Sequence, residues 1–157
     1  MQGGQARIIP VIHNVSSVQK VVDMARVVIS LDLDLLVATK VYGAAAQSGV
    51  PEAYRMLAKE GKGLVILPDL KDAVELYSPK TVLIVDRDRA AELVDPSTVP
   101  RVEGTTMVVV NGSDTSFSPQ ELAMGRPVYI RGLRSRAGSI AEAFAVLYLL
   151  KYYAATK

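Results

Sequence analysis

Short apolar runs alternate along this chain with longer segments in which apolar residues recur at every third or fourth position. Compact apolar runs bounded by glycine, proline or polar residues are typical of buried strands, whereas the longer spacing is typical of helices with one buried face. The pattern therefore predicts a regular alternation of strand and helix. The predicted strands are Arg7–His13, Leu35–Ala38, 64–68, 81–85, 106–110 and 128–130.

The segments between these runs carry helix-start signals. Ser17 and Asp69 are residues that cap helices, and the sequence from Ser118 to Glu121 has the form of a capping box with proline at the first helical position. Residues 86–104 are less regular and predict at most one helix and a proline-containing loop. The predicted helices run from Ser17 to about Ile29, from Pro51 to about Glu60, from Leu70 to Tyr77, from Pro119 and from Ser139.

This order of elements predicts an α/β fold in which a mostly parallel sheet is covered by helices on both faces, and residues 1–157 are expected to form one domain. Such sheets bind ligands beyond the carboxyl ends of their strands. The loops Asn111–Ser118 and Gly132–Gly138 both follow predicted strands. We therefore expect these two loops to lie together at that edge of the sheet.

The last predicted helix, from Ser139, is apolar nearly all the way round. Its polar exceptions are Glu142 and Lys151, which fall on roughly opposite sides at about 100° per residue. An exposed helix would need a polar face. The helix is therefore expected to be buried by this chain, by a second copy of it, or by both.

Composition narrows the classes of protein that remain. The 157 residues include no cysteine, which excludes disulfides, zinc–cysteine sites and thiol nucleophiles and fits a reducing compartment. The apolar runs are too short for a transmembrane helix and the start lacks the hydrophobic core of a signal peptide, so we expect a cytoplasmic protein. A net charge of +2 is too small to require a nucleic-acid partner, and local clustering matters more.

One such cluster comprises Arg126, Arg131, Arg134 and Arg136, beside a loop rich in glycine and serine. These arginines are either a solvated basic face or a group that faces phosphates or a cofactor, and guanidinium groups suit both phosphates and ribose oxygens. The loop itself lets backbone N–H groups approach a ligand closely.

Other polar residues have two readings each. Asp114 is either a turn residue or a catalytic carboxylate, and Ser118 is a helix cap or a substrate contact. The single histidine, His13, is either a structural residue at a strand end or part of a polar site. Asp86 and Asp88 form a metal pair or, as we favour, a salt-bridged surface turn with neighbouring arginines. The sequence predicts no metal site.

Two segments, VVVNGSDTSFS and VYIRGLRSRAGSIAEAFAVLYLL, resemble motifs two and three of the SPOUT (SpoU–TrmD) superfamily of RNA methyltransferases. Gly112, Ser113, Asp114 and Ser118 match the motif-two loop, Ser135, Ser139 and Ala141 match motif three, and Asn14 with the helix after it resembles motif one. The resemblance implies a trefoil-knotted fold, a pocket for S-adenosylmethionine, a homodimer formed through the C-terminal helix, and tRNA or rRNA as the substrate.

The same resemblance implies which residues form the site. Candidate catalytic residues are Arg26, Asp114, Arg134, Ser135 and Arg136. Candidate cofactor-binding residues are Val110, Asn111, Gly112, Ser113, Ile130, Arg131, Gly132, Leu133, Gly138, Ser139 and Ile140.

This chain also departs from the SpoU pattern. Asp23 stands where the family helix carries its catalytic arginine, with Arg26 three residues later, and Ala137 replaces an asparagine of motif three. The sequence supports cofactor binding better than proton transfer. Three functions are therefore considered: methylation of an RNA ribose 2′-hydroxyl, RNA binding by a fold that has lost its chemistry, and a nuclease. Metal-dependent nucleases of the relevant kind need spaced acidic residues and a lysine on a strand hairpin, and that arrangement is not evident in the sequence.

Overall fold

The structure, a computed structural model, describes residues 6–154. Its strands are β1 (Arg7–Val15), β2 (Leu35–Val41), β3 (Gly63–Leu67), β4 (Thr81–Val85), β5 (Glu92–Val94), β6 (Thr105–Asn111) and β7 (Arg126–Ile130). Its helices are α1 (Val18–Ser30), α2 (Val50–Lys59), α3 (Leu70–Tyr77), α4 (Pro119–Leu122) and α5 (Ser139–Tyr152), with a π-helical turn (Ala45–Gly49) before α2. None of the helices within 6–154 combines the length and the apolar sequence needed to cross a bilayer.

All seven strands form one parallel sheet in the order β3-β2-β1-β6-β4-β7-β5. The predicted α/β class with a parallel sheet is confirmed. The prediction for residues 86–104 was incomplete, because it missed the edge strand β5, which pairs with β7. β5 has only three residues, of which two are exposed, so it carries no buried apolar run that would mark it in the sequence.

Alternation along the strands divides the core into two layers, because successive side chains point to opposite faces of a sheet. On one face, Ile12 and Val110 pack with buried residues of α1, α2 and α5. On the other face, Val11 and Val109 pack with Leu70 of α3 and with residues beside α4. Helices therefore cover both faces, as the sequence predicts.

The helix starts follow the capping signals in the sequence. Ser17 accepts a hydrogen bond from the backbone N–H of Lys20 at 3.2 Å, and both Asp69 and Ser118 form capping boxes. Each of these caps follows a strand by a few residues. The caps therefore fix the starts of α1, α3 and α4 close to the carboxyl edge of the sheet.

The two polar residues of helix α5 are accommodated in different ways. Glu142 is buried, and the Lys151 ammonium donates hydrogen bonds to the carbonyl oxygens of Leu31 and Asp32. A third side of the helix remains exposed and is aromatic, with Phe144, Tyr148 and Tyr152 at successive four-residue intervals. Burial by the chain itself thus accounts for part of the apolar surface. The passage of α5 through a knot stays a prediction.

A matched pair of leucines tests this packing. Leu57 of α2 is fully buried, whereas Leu76 of α3 is 58% exposed. We expect Leu57→Ala to lower the free energy of unfolding by about 2–5 kcal/mol because it leaves a cavity, and Leu76→Ala to change it by less than about 0.5 kcal/mol. Chemical denaturation measures both values. Similar losses in the two variants would contradict the described position of α2.

Candidate functional site

Three loops enclose a cavity of about 320 Å³ at the carboxyl edge of the sheet, on the side covered by α5. They follow β4, β6 and β7, which are neighbours in the sheet. The volume lies at the lower end of the range for small-molecule sites, about 300–1,000 Å³. The lining residues are Lys20, Val85, Asp86, Arg87, Asp88, Arg89, Val110, Asn111, Ser113, Asp114, Thr115, Ser116, Phe117, Arg136, Gly138, Ser139 and Glu142.

The loop after β6 is held by side-chain amides. Asn111 Oδ1 accepts the backbone N–H of Ser113 at 3.0 Å, and Asn14 Nδ2 donates to Ser113 Oγ and Thr115 Oγ1 at 3.1 and 3.2 Å. Gly112 lies against β1, where an added Cβ would stand 2.6 Å from Cβ of Val15. Only glycine fits this close approach, so the loop leaves β6 along a path that the end of β1 dictates.

The loop after β7 is held by a buried acid. The Glu142 carboxylate accepts hydrogen bonds from the Tyr129 hydroxyl at 2.5 Å and from the backbone N–H of Ala137 at 3.1 Å. Burial of Tyr129, together with the hydrogen bond to Glu142 and the charge of that carboxylate, raises the pKa of Tyr129 to about 12. Gly138 then enters α5 at a φ of +96°, which other residues rarely adopt.

The loop after β4 is joined to the loop after β7 by two arginines. Asp86 Oδ1 accepts the backbone N–H groups of Asp88 and Arg89 at 2.9 and 3.2 Å, which makes the segment a tight turn. Arg87 donates to the carbonyl of Arg134 at 3.0 Å, and Arg136 donates to Asp88 at 2.6 Å. The carboxylates at 86 and 88 thus form the favoured salt-bridged turn, which also lines the cavity.

The cation that α1 contributes to this cavity is Lys20. Lys20 lies in the first turn of the helix, and its ammonium donates to the carbonyl oxygen of Gly112 at 3.2 Å. Arg26, the predicted catalytic cation, does not line the cavity: its side chain is 58% exposed and pairs with Asp23 at 2.7 Å. The sequence contains a signal for Lys20, because it follows the Ser17 cap by three residues on the turn nearest the sheet edge, whereas the resemblance to the SpoU motifs indicates Arg26 instead.

The structure brings some of the predicted site residues together around the cavity. The predicted residues that line the cavity are Val110, Asn111, Ser113, Asp114, Arg136, Gly138 and Ser139. Gly112 adjoins it through its backbone. Arg134 and Ser135 are exposed beside it, Gly132 and Leu133 extend into solvent, and Ile140 packs on the core. Ile130 and Arg131 line a separate groove against α5, where Arg131 pairs with Asp95 at 2.9 Å.

A larger cavity, of about 470 Å³, lies at the opposite edge of the sheet, where β1 and β2 begin. Its charged lining residues are Arg7, Asp32, Asp34, Arg101 and Lys151. Parallel α/β sheets bind their ligands at the carboxyl ends of strands, where loops can vary without disturbing the core. The smaller cavity is therefore the better candidate for the functional site.

The remaining polar residue of the strand ends, His13, is buried on the far face of the sheet from this cavity. Its Nδ1 lies 2.8 Å from Thr39 Oγ1 and its Nε2 lies 2.6 Å from Glu121 Oε2. Burial raises the pKa of Glu121, but hydrogen bonds from the Ser118 backbone and from His13 outweigh this effect, so that the net pKa is lowered. Both ring nitrogens of His13 thus have a hydrogen-bond partner.

The chain has the α/β fold of SpoU methyltransferases. The SpoU methyltransferase AviRb from Streptomyces viridochromogenes, in complex with the cofactor AdoMet, has a TM-score of 0.75 at 15% identity. The match covers 98% of this chain and 63% of AviRb. A structure described as "Structural insights into the 2-OH methylation of C/U34 on tRNA" has a TM-score of 0.73 at 14% identity and covers 98% and 99% of the two chains.

By sequence, the chain belongs to the family described as "RecB-family nuclease (DUF2122)", whose profile matches residues 43–149. It is 54% identical over 143 residues to the "Putative type II restriction enzyme ApeKORF2002P" of Aeropyrum pernix, covering 91% of this chain and 92% of that protein. It is 30% identical over 138 residues to the "Putative type II restriction enzyme MjaORF1200P" of Methanocaldococcus jannaschii, covering 87% and 91%. The family description and the names of both sequence relatives are thus those of nucleases, whereas the solved structures that share the fold are methyltransferases.

The Tyr129–Glu142 contact has a measurable consequence at high pH. Because the folded state raises the pKa of Tyr129 from 10.0 to about 12, the neutral phenol contributes stability below pH 10 that is lost as the pH rises towards 12. We expect the free energy of unfolding to fall over this interval more steeply in the natural protein than in Tyr129→Phe. Denaturation at several pH values measures the slopes, and equal slopes would contradict the contact.

Proposed function

We propose that this protein is an S-adenosylmethionine-dependent RNA methyltransferase that modifies a ribose 2′-hydroxyl of tRNA or rRNA. The observation that carries the proposal is the cavity at the carboxyl edge, where helix α1 places a lysine, and the three loops after β4, β6 and β7 place an exposed carboxylate and backbone polar groups, around one space. The shared fold with a methyltransferase crystallised with AdoMet supports it.

The cavity has the chemistry that an adenosyl cofactor requires. Asn111, Ser113 and Ser139 offer hydroxyl and amide groups for ribose and amino-acid oxygens, and Val110 offers an apolar wall. No heavy atom outside the adjacent residues lies within 4 Å of the position that a Cβ would take at Gly138, so its backbone is open to a ligand. The bound cofactor would supply an electrophilic methyl group on a sulfonium. These residues would hold it.

Methylation of a hydroxyl also needs a proton acceptor and a cation near the oxygen. Asp114 is an exposed carboxylate at the mouth of the cavity, and in this proposal it accepts the proton that the ribose hydroxyl loses. Lys20, rather than the predicted catalytic residue Arg26, stabilises the negative charge that develops on the oxygen. Arg136, fixed by Asp88, orients the nucleotide.

The rim of the cavity suits an RNA backbone. Arg87, Arg89, Arg134 and Arg136 are all exposed around its mouth, on the loops after β4 and β7. Guanidinium groups bind phosphate oxygens in pairs, and several together make binding strongly dependent on salt. The proposed substrate is therefore a single-stranded or looped region of RNA whose ribose can enter the cavity.

The aromatic side of α5 supports a homodimer. Phe144, Tyr148 and Tyr152 are between 39% and 50% exposed and contact one another at centroid distances of 6.0 and 4.8 Å. They adjoin the groove that contains Ile130 and Pro96. A contiguous exposed apolar surface of this kind is typical of an interface, and pairing about a twofold axis would bury the same surface on both copies.

A nuclease is the second candidate, since the family description and the names of both relatives suggest one. Phosphodiester hydrolysis by such enzymes uses a metal ion held by carboxylates. Within residues 6–154 the sheet is wholly parallel, so it offers no strand hairpin for the acidic and lysine residues of such a site. One described group, His13 with Asp69 and Glu121, has the ligand types for a metal, which keeps this candidate testable.

The first experiment is calorimetry with S-adenosylmethionine and with its demethylated product, followed by transfer of a labelled methyl group to total tRNA and rRNA. We expect saturable binding of both nucleosides and label in RNA. Absence of heat at high micromolar concentration would overturn the proposal. Cofactor or RNA binding without transfer would indicate a fold that has lost its chemistry, and cleavage of nucleic acid with Mg²⁺ or Mn²⁺ would favour the nuclease.

Two cations of α1 provide a matched test of the catalytic assignment. We expect Lys20→Met to reduce methyl transfer by about 100-fold, because the ammonium stabilises developing charge. The rate of methyl transfer by Arg26→Met should stay within about fivefold of the rate of the natural protein, because an exposed ion pair contributes at most about 1 kcal/mol. Single-turnover rates at saturating cofactor measure both. The reverse order would restore the assignment to Arg26.

Charge placed on the aromatic side of α5 tests the dimer. We expect the natural protein to have the mass of two chains in light scattering and Tyr148→Glu to have the mass of one, because pairing would bury an uncompensated carboxylate. Tyr54→Glu, at a tyrosine of α2 that is 58% exposed, is the control and should remain dimeric. A monomeric natural protein would contradict the interface.

A further inference from the structure

A second polar group lies at the carboxyl edge, on the face of the sheet covered by α3 and α4. His13 at the end of β1, Asp69 at the N-terminus of α3 and Glu121 in α4 each offer one ligand atom, and these atoms lie within 4.8 Å of one another. Two ligands of one cation stand up to about 4.2 Å apart when each bond is about 2.1 Å. Asp69 is exposed and its Oδ1 accepts the Leu70 N–H at 2.8 Å, so a small adjustment that keeps this cap would close the difference.

We propose that His13, Asp69 and Glu121 bind one divalent transition-metal cation, of the kind represented by Zn²⁺ and Mn²⁺. An imidazole nitrogen combined with two carboxylate oxygens suits these ions, whereas Mg²⁺ and Ca²⁺ prefer oxygen ligands alone. Three protein ligands leave at least one coordination position for water. That position would face the exposed side of the group, at Asp69.

The histidine and the glutamate are already oriented for this role. Thr39 Oγ1 lies 2.8 Å from His13 Nδ1 and leaves Nε2 directed at the carboxylates, and the ring is 1% exposed and stacks on Phe117 at 6.3 Å. Glu121 Oε1 accepts the Ser118 backbone N–H at 2.8 Å, so that Oε2 is the oxygen that faces His13. Partners that fix the ring and carboxylate in this way are typical of metal ligands.

The charges also favour a cation. Among the described residues, Glu121 forms an ion pair with His13 alone and Asp69 forms none, so neither carboxylate is neutralised by a lysine or an arginine. With a neutral imidazole the group therefore carries two negative charges.

A bound cation would replace the hydrogen bond between Nε2 and Glu121, and His13 would keep one proton on Nδ1 and donate it to Thr39. An imidazolium would release one proton to solvent.

The site would connect to the cavity on the other face of the sheet. Phe117 lies in the loop Asn111–Ser118 and Glu121 in the helix α4 that follows it, and the backbone N–H of Gly112 donates to the carbonyl of His13 at 2.7 Å. A cation held at Glu121 would thus tie the end of that loop to the end of β1. The metal site itself depends on neither cofactor binding nor methyl transfer.

The single histidine of the chain makes the test direct. In the full-length, tag-free protein, long-range proton–nitrogen NMR of the imidazole contains one set of side-chain signals. We expect one equivalent of Zn²⁺ to shift the Nε2 resonance and Mn²⁺ to broaden the His13 signals, while Mg²⁺ at the same concentration leaves them unchanged. His13 signals that do not respond to a tenfold excess of Zn²⁺ or Mn²⁺ would overturn the proposal.

Matched variants separate this site from other carboxylates. Asp69→Asn keeps a residue that can cap α3, and Glu121→Gln keeps an acceptor for the Ser118 N–H, so both preserve the local hydrogen bonds. Each should weaken Zn²⁺ binding about tenfold or more in calorimetry, and Glu75→Gln, at an exposed carboxylate of α3, should not. Undiminished affinity in both ligand variants would overturn the assignment, whether or not the protein binds S-adenosylmethionine.

Discussion

The parallel pairing of β1 with β6, at the centre of the sheet, is the constraint on which both polar sites depend. The two strands pair in register from Arg7 opposite Thr105 to His13 opposite Asn111. β6 ends opposite His13 while β1 continues to Val15, so the segment that leaves β6 must pass along the end of β1. A shift of one residue would exchange the faces on which their side chains lie. It would also bring a bulkier residue than Gly112 against Val15, where an added Cβ has no room.

Two regions of different chemistry meet where the segment after β6 passes the end of β1. On the α5 side, Lys20, Asp114 and the polar loops surround a cavity, and on the α4 side, His13 lies beside Glu121 and Asp69. The family carries a nuclease description, while the fold is that of methyltransferases. A fold does not determine a reaction, so the choice between them rests on these side chains. The first region suits transfer of a group to a hydroxyl, and the second suits a metal ion.

A buried acid, Glu142, and a partly buried one, Glu121, organise the loops on the two sides of the sheet. Glu142 is 8% exposed and holds Ala137 and Tyr129, and Glu121 holds Ser118 and His13. A buried carboxylate is costly unless hydrogen bonds satisfy its oxygens, and each of these accepts at least two. Each acid therefore stabilises one conformation of its loop. In the proposed enzyme, loops held in this way would lose less conformational freedom when a ligand binds.

The sequence by itself determined the elements with local signals. Apolar runs and caps such as Ser17, Asp69 and Ser118 predicted most strands and helix starts, because a strand's alternation and a capping hydrogen bond involve residues close in the chain. Tertiary structure decided the rest. Lys20 and Arg26 are both cations of α1, and only the tertiary packing of this helix places the first beside Gly112. His13 contacts Thr39 and Glu121, which lie 26 and 108 residues away, so no local pattern could reveal that group.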